Sequence, residues 1–176
     1  PWAEGRLDLR ESDGGRLARR STGGGAVYHD LGNLNYSFIL PRRAYSMERQ
    51  LGTVLGALRT LGISAEFSGR NDLVIGGRKF SGNAYQLTRH KGLHHGTLLL
   101  SADMAKLSRY LNVDPEKLKT KGVASVSSRV MNLRDARPAL SLDDLLDALE
   151  REFLARYKAP ETLREAKEPE GEEYSS

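Results

Sequence analysis

Two stretches of helical periodicity bracket a series of short, glycine-broken runs, and that arrangement restricts the chain to a mixed α and β architecture. Residues 46–61 place Met47, Leu51, Val54, Leu55, Leu58 and Leu61 on one stripe, and Gly62 stops it. Residues 141–157 do the same with Leu142, Leu145, Leu146, Leu149, Phe153 and Leu154 behind an N-cap at Ser141. Between them, residues 63–67, 73–75, 78–87 and 97–100 read as strands, with Gly76-Gly77 turning the second into the third. Before them, residues 26–28 and 34–40 read as a hairpin about Asp30-Leu31-Gly32-Asn33. Short helices are expected at 6–13, where Gly14-Gly15 ends the first, at 103–111 and at 115–119. Strands joined by hairpins and interspersed with helices give an α+β fold.

The 176 residues suit one domain, with room for a real core. Residues 159–176 differ from the rest. They hold six acidic residues against Arg164 and Lys167, with Pro and Ser and almost no large apolar side chain. This tail is expected to be disordered, because it cannot offset its ordering entropy by burial. It carries −4 of a total of +4, so residues 1–158 carry +8. A basic body points to an anionic partner: nucleotide, nucleic acid or an acidic protein. The chain has no cysteine, which excludes disulfides, thiolate metal sites and a cysteine nucleophile. It has no membrane-length apolar stretch and no signal peptide, so a cytoplasmic location is expected. It begins with Pro1 rather than Met, as a processed chain or a fragment would.

Four segments carry chemistry. In Arg19-Arg20-Ser21-Thr22-Gly23-Gly24-Gly25-Ala26-Val27-Tyr28-His29-Asp30, three glycines allow backbone N–H groups to converge, and two arginines add phosphate donors. The spacing is not that of a P-loop, and a plain hairpin loop is the simpler alternative. In the second, Gly69-Arg70-Asn71-Asp72 precedes Arg78-Lys79-Phe80-Ser81-Gly82-Asn83-Ala84. Lys79, between a glycine turn and small residues, can hold a phosphate or polarise a carbonyl, although most lysines are simply solvated. Asp72 could bind magnesium or position a ribose. The third is His90-Lys91-Gly92-Leu93-His94-His95-Gly96-Thr97. Here His90 and His94 have the separation of zinc ligands on a helix, but Gly92 and the following strand argue against a helix. A hydrogen-bonded or ligand-facing His95 is the better reading. The fourth, Lys117 through Val126 and on to Leu133, is basic and rich in small residues. It suits a loop closing over an anion or, equally, a basic surface connection.

Taken together these strings resemble the bacterial lipoate–protein ligase family, within the wider group of biotin–protein ligases and octanoyltransferases. Residues 19–33, Gly69-Arg70-Asn71-Asp72-Leu73, Lys79-Phe80-Ser81-Gly82-Asn83-Ala84, His94-His95-Gly96-Thr97-Leu98-Leu99 and Lys121-Gly122-Val123-Ala124-Ser125-Val126 follow in the family's order. The resemblance runs from Pro1 to about Tyr157. It implies a biotin/lipoate ligase-like catalytic domain at 1–158, a mixed, mostly antiparallel sheet flanked by helices and akin to class II synthetases. It implies an ATP-dependent reaction with Mg2+ present, in which lipoate or octanoate becomes the acyl-AMP. The acyl group then passes to a lysine of a lipoyl domain, on a 2-oxoacid dehydrogenase E2 subunit or the glycine cleavage H protein. By resemblance Lys79 is the key catalytic residue. Arg20, Gly25, Ala26, Val27, Tyr28, Lys79, Lys121 and Gly122 would bind ATP and the adenylate. Arg20, Gly24, Gly25, Lys79, Gly82 and His95 would line the lipoate pocket, and Asp72 would support magnesium.

The chain departs from that family at both ends. Its members have several tens of residues before the position of Pro1, including a strand ending in a Gly-Arg-x-Gln-Asn type motif. Many continue into an accessory domain, which some obtain as a separate subunit. The resemblance therefore implies an N-terminally short catalytic domain with a separate accessory protein as a further partner, and no nucleic-acid or membrane partner. Three other readings stand beside the ligase: a transferase using preformed lipoyl-AMP, an adenylate-binding module without turnover, and a nucleic-acid binder. The last lacks stacking platforms and any known motif.

Overall fold

The computed structural model describes residues 14–69, 71–111 and 129–158. The expected helices at 6–13 and 115–119 and the acidic tail lie outside them. Five strands form one sheet in the order β1-β5-β4-β3-β2, every neighbouring pair antiparallel. The strands are β1 (Asn33–Pro41), β2 (Glu66–Phe67), β3 (Asp72–Ile75), β4 (Arg78–Leu87) and β5 (Lys91–Leu99). The helices are α1 (Met47–Thr60), α2 (Met104–Tyr110), α3 (Leu133–Ala136) and α4 (Leu142–Tyr157). This is the antiparallel, helix-flanked α+β domain that the sequence predicts.

The local signals explain the element ends. Ser46 caps α1 by accepting from the Arg49 N–H at 3.3 Å. Ser141 and Asp144 form a reciprocal capping box at α4. Gly76 and Gly77 both have positive φ, 54° and 77°, as a two-residue hairpin loop between β3 and β4 requires.

One face of the sheet is packed and the other is open. Alternate residues Leu34, Tyr36 and Phe38 of β1, with His94 and Leu98 of β5, face α1 and α4. Leu51, Val54 and Leu58 of α1, and Leu145 of α4, close this core. Phe38 also stacks against Phe153 and Tyr157 of α4. The intervening residues Asn35, Ser37 and Ile39 of β1 are exposed on the opposite face.

The expected hairpin between residues 26–28 and 34–40 does not form. Residues 26–28 are not a strand, and β1 pairs along its whole length with β5, Asn33 opposite Leu99 and Pro41 opposite Lys91. Asp30 explains the difference. Its carboxylate accepts from the Gly32 N–H and from the Asp103 N–H, each at 2.8 Å, so the turn residues tie the chain to the start of α2 instead of folding it back. Gly32 is part of the same junction. Its carbonyl accepts from the Leu100 and Ser101 N–H groups, and a Cβ on it would overlap the Ser101 carbonyl. Because the obstacle is backbone, Gly32→Ala should destabilise the fold by about 2 kcal/mol or more, read as a lower urea midpoint with unchanged slope. Wild-type stability would show that this junction yields easily.

Candidate active site

The site on the open face depends on an irregularity in β4. Leu73 pairs with Ser81, but Val74 pairs with Lys79, so Phe80 is one residue too many. In an unbroken strand Lys79 and Gly82, three apart, would project from opposite faces. The bulge puts them on the same one. Phe80 and Ser81 are consequently both buried, while Lys79 emerges beside Gly82. A Cβ on Gly82 would stand 3.2 Å from the Lys79 Nζ, so the glycine keeps room for the ammonium. Asp72, opposite Gly82 across the β3–β4 ladder, meets the same ammonium with its Oδ1 at 2.7 Å. The two side chains remain 42% and 39% exposed, within reach of a ligand. The lysine's backbone is also fixed, because its carbonyl accepts from the Met131 N–H at 2.9 Å.

Thr97 and His95 of β5 extend the site. The Gly82 N–H donates to Thr97 Oγ1 at 3.3 Å, and His95 pairs with Ala84. The glycine-rich loop lies over this face and is attached to it through Thr22, whose Oγ1 is 2.6 Å from His95 Nε2. Arg20 shapes the loop. Its Nε and Nη2 donate to the Gly23 carbonyl at 3.2 and 3.1 Å, and its Nη2 donates to the Gly25 carbonyl at 2.7 Å. Gly24 has φ 114°, which strains any L side chain, and a Cβ there would push the Arg20 Nη2 aside. Burial, with the Arg20 charge second, holds the His95 imidazole below its ordinary pKa. His29 is lowered for the same two reasons, with Asp30 opposing them. Both rings are therefore neutral near pH 7, and among the described residues brought together here the cations are Arg20 and Lys79.

Beyond the loop, Ala26, Val27 and Tyr28 lead toward α2, where Tyr28 stacks on Tyr110 with centroids 5.5 Å apart. Burial, and then Asp30, push the Tyr28 phenol up to about 12. The structure thus gathers Asp72, Lys79, Gly82 and His95 on one face and joins Arg20, Gly24 and Gly25 to it through a loop contact. Lys121 and Gly122 lie outside the described residues. Among the described residues no three His, Cys, Asp or Glu side chains are placed to share a metal. Asp72 is a single carboxylate already facing Lys79, so a divalent cation here would need further oxygens from a ligand and from water. Sequence reading passed over Thr22 and Thr97. Thr22 lies inside a quoted string, but its partner His95 is 73 residues away and only the fold reveals the pair.

Among the described residues no helix is long and apolar enough to cross a membrane. The family model for the lipoyl protein ligase A/B catalytic domain matches residues 1–154. The chain is similar to a bi-partite lipoate protein ligase from Thermoplasma acidophilum, studied with its E2 lipoyl domain, at 34% identity and a TM-score of 0.76. That match covers 89% of this chain and 64% of the other. A lipoate-protein ligase A bound with ATP matches at 31% identity and a TM-score of 0.75, over 88% of this chain and 64% of that one. P. falciparum LipL1 in complex with lipoate matches at 32% and 0.77, over 93% of this chain and 46% of its own. The chain therefore spans less than two thirds of the length of these relatives. With the family model matched over most of its length, on a sheet that presents a lysine, a carboxylate and a clamped glycine loop, the chain belongs to the lipoyl protein ligase A/B catalytic domain family.

Proposed function

We propose that the chain is the catalytic domain of an ATP-dependent lipoate–protein ligase. The observation that carries this reading is the Asp72–Lys79 pair at 2.7 Å, beside a side-chain-free Gly82 and under the Arg20-clamped loop. In the first step a lipoate carboxylate oxygen bonds to the α-phosphorus of ATP, and pyrophosphate leaves with the electrons of the broken P–O bond. In the second, a neutral lysine amine of the acceptor bonds to the acyl carbon, the acyl–phosphate bond breaks, and the proton the amine gives up goes to the departing AMP phosphate or to water. Each step concentrates negative charge on oxygen next to the acyl–phosphate junction. The Lys79 ammonium is the cation the open face offers there, and a preset charge in a partly enclosed site is worth more than one in water.

The other residues position. Arg20 holds the Gly23 and Gly25 carbonyls and so sets the course of the loop, whose glycines would let a phosphate approach the backbone. Thr22 and neutral His95 keep the loop seated on the sheet and border the lipoate side with Gly82 and Gly24. Tyr28, stacked on Tyr110, fixes the far end of the loop. Asp72 would hold Mg2+ together with phosphate oxygens, and the ion would neutralise charge on the departing pyrophosphate. Lys121 and Gly122 would bind the nucleotide as well. Relatives caught with ATP and with lipoate support both substrates, and the T. acidophilum ligase studied with its E2 lipoyl domain supports a lipoyl-domain acceptor.

Lipoate-dependent exchange of labelled pyrophosphate into ATP tests this reading. The expected result is exchange that needs lipoate and magnesium. Transfer from supplied lipoyl-AMP without exchange would leave the transferase reading. Binding of lipoyl-AMP with neither activity would leave a binding domain and overturn the proposal.

A further inference from the structure

On the packed side of the sheet, directly behind the Asp72–Lys79 pair, lies a polar network that core packing alone does not require. Asn83 is at its centre and 8% exposed. Its backbone N–H and its side-chain Nδ2 both donate to the Asn71 carbonyl, at 2.8 and 2.9 Å. Nδ2 also reaches Ser81 Oγ at 3.4 Å. Its Oδ1 accepts from the Tyr36 hydroxyl and lies 2.8 Å from His94 Nε2. Those two contacts fix which way the amide points. With Oδ1 held by two donors, the NH2 end must face Asn71.

The rest of the network sets His94. Burial, with His95 second, lowers its pKa to about 4, so the ring is neutral and donates from Nε2. Its Nδ1 then needs a donor. Gln50 Oε1 is 3.3 Å away, while Gln50 Nε2 is buried without a partner. A half-turn of the Gln50 amide gives both atoms what they lack. Gly96 reserves the space for this arrangement, since a Cβ there would come within 2.5 Å of both Asn83 Oδ1 and the Tyr36 hydroxyl.

We propose that Asn83 is a positioning residue. From the buried face it clamps the Asn71 carbonyl and so sets the Asp72 carboxylate against the Lys79 ammonium on the other face. The covalent path is one residue long, because Asn71 immediately precedes Asp72 at the start of β3. The consequence for turnover rests on the ligase reading above, but the placement of Lys79 does not.

The test therefore has two readouts. The first is the rate at which Lys79 is acetylated by acetic anhydride, followed by peptide mass spectrometry. Asp72→Asn should raise it about threefold, the equilibrium factor of an exposed ion pair. Asn83→Ala, which loses the Nδ2 bond but keeps the backbone N–H bond to the Asn71 carbonyl, should raise it by a smaller factor, and the double variant no further than Asp72→Asn. The second is pyrophosphate exchange, where Asn83→Ala should lower kcat about tenfold with KM for ATP and lipoate within about twofold, and should add nothing to Asp72→Asn. Tyr36→Phe removes one donor to Oδ1 at nearly constant volume and should give a smaller effect of the same sign, which decides the matter if Asn83→Ala fails to fold. Wild-type Lys79 reactivity in the folded Asn83 variant, or effects that add to those of Asp72→Asn, would overturn the proposal. If the wild type shows no exchange, the ligase reading fails and the acetylation rates still decide this one.

Discussion

Replacing Lys79 by alanine should lower lipoate-dependent pyrophosphate exchange by about 10²- to 10³-fold, the loss seen when one preset stabiliser of developing charge is removed. Stability should hardly change. Lys79 and Asp72 are both substantially exposed, and an exposed pair contributes at most about 1 kcal/mol. The two magnitudes separate a catalytic from a structural role. Arginine should not restore the rate. Its planar guanidinium is broader than the ammonium, whose Nζ already lies 3.2 Å from where a Gly82 Cβ would stand, and it would meet Asp72 in a different geometry. Exchange within threefold of wild type in a folded Lys79→Ala protein would remove this lysine from the reaction.

Acid should destabilise the fold through His94 before carboxylate protonation dominates. This imidazole is fully buried and its pKa lies at about 4 against 6.5 for a free side chain. The unfolded chain therefore takes up a proton that the folded chain refuses. Above pH 6.5 neither state is charged at this residue and nothing is lost. As pH falls through 6.5 the unfolded state gains, and the loss is complete below about pH 4. At about 1.4 kcal/mol per pKa unit the full effect is about 3 kcal/mol, a large part of a marginal stability. Urea unfolding between pH 8 and pH 3.5 should show this fall in the wild type. His94→Gln, which keeps a side-chain amide for Asn83 but has no titrating group, should show a shallower one. Parallel profiles for the two proteins would rule out His94 as the group responsible.

What could be read in advance followed periodicity and local chemistry. The stripes at 46–61 and 141–157 became α1 and α4, because side chains three and four apart must share a helix face wherever the helix packs. Gly76-Gly77 marked a hairpin because only that geometry uses two consecutive positive φ values so readily. Residues 97–100, strand-like by themselves, overlap only the end of β5, whose glycines and histidines at 92–96 hide the alternation. The turn at 30–33 does not make the hairpin its residues suggest, because its outcome depends on Asp103, 73 residues away from Asp30. The same limit applied at the site. Lys79, Asp72, Gly82 and His95 were named from their strings. That Asp72 faces Lys79, that Thr22 holds His95 and that Arg20 bonds the loop carbonyls are facts of distance, which strings do not contain.

The extra residue at Phe80 has a consequence for how such a domain can change over time. Side chains around the site can be exchanged one at a time, each for a modest cost. A change of length between residues 74 and 82 has no small version. Removing Phe80 would restore regular pairing with β3 and leave the lysine, then two positions from Gly82, on the open side, but it would take a fully buried ring out of the core, a loss of about 3–5 kcal/mol. Descent with variation should therefore leave the count of residues from lysine to glycine untouched even where their neighbours drift. That fixed count records a backbone irregularity together with the core side chain it turns inward.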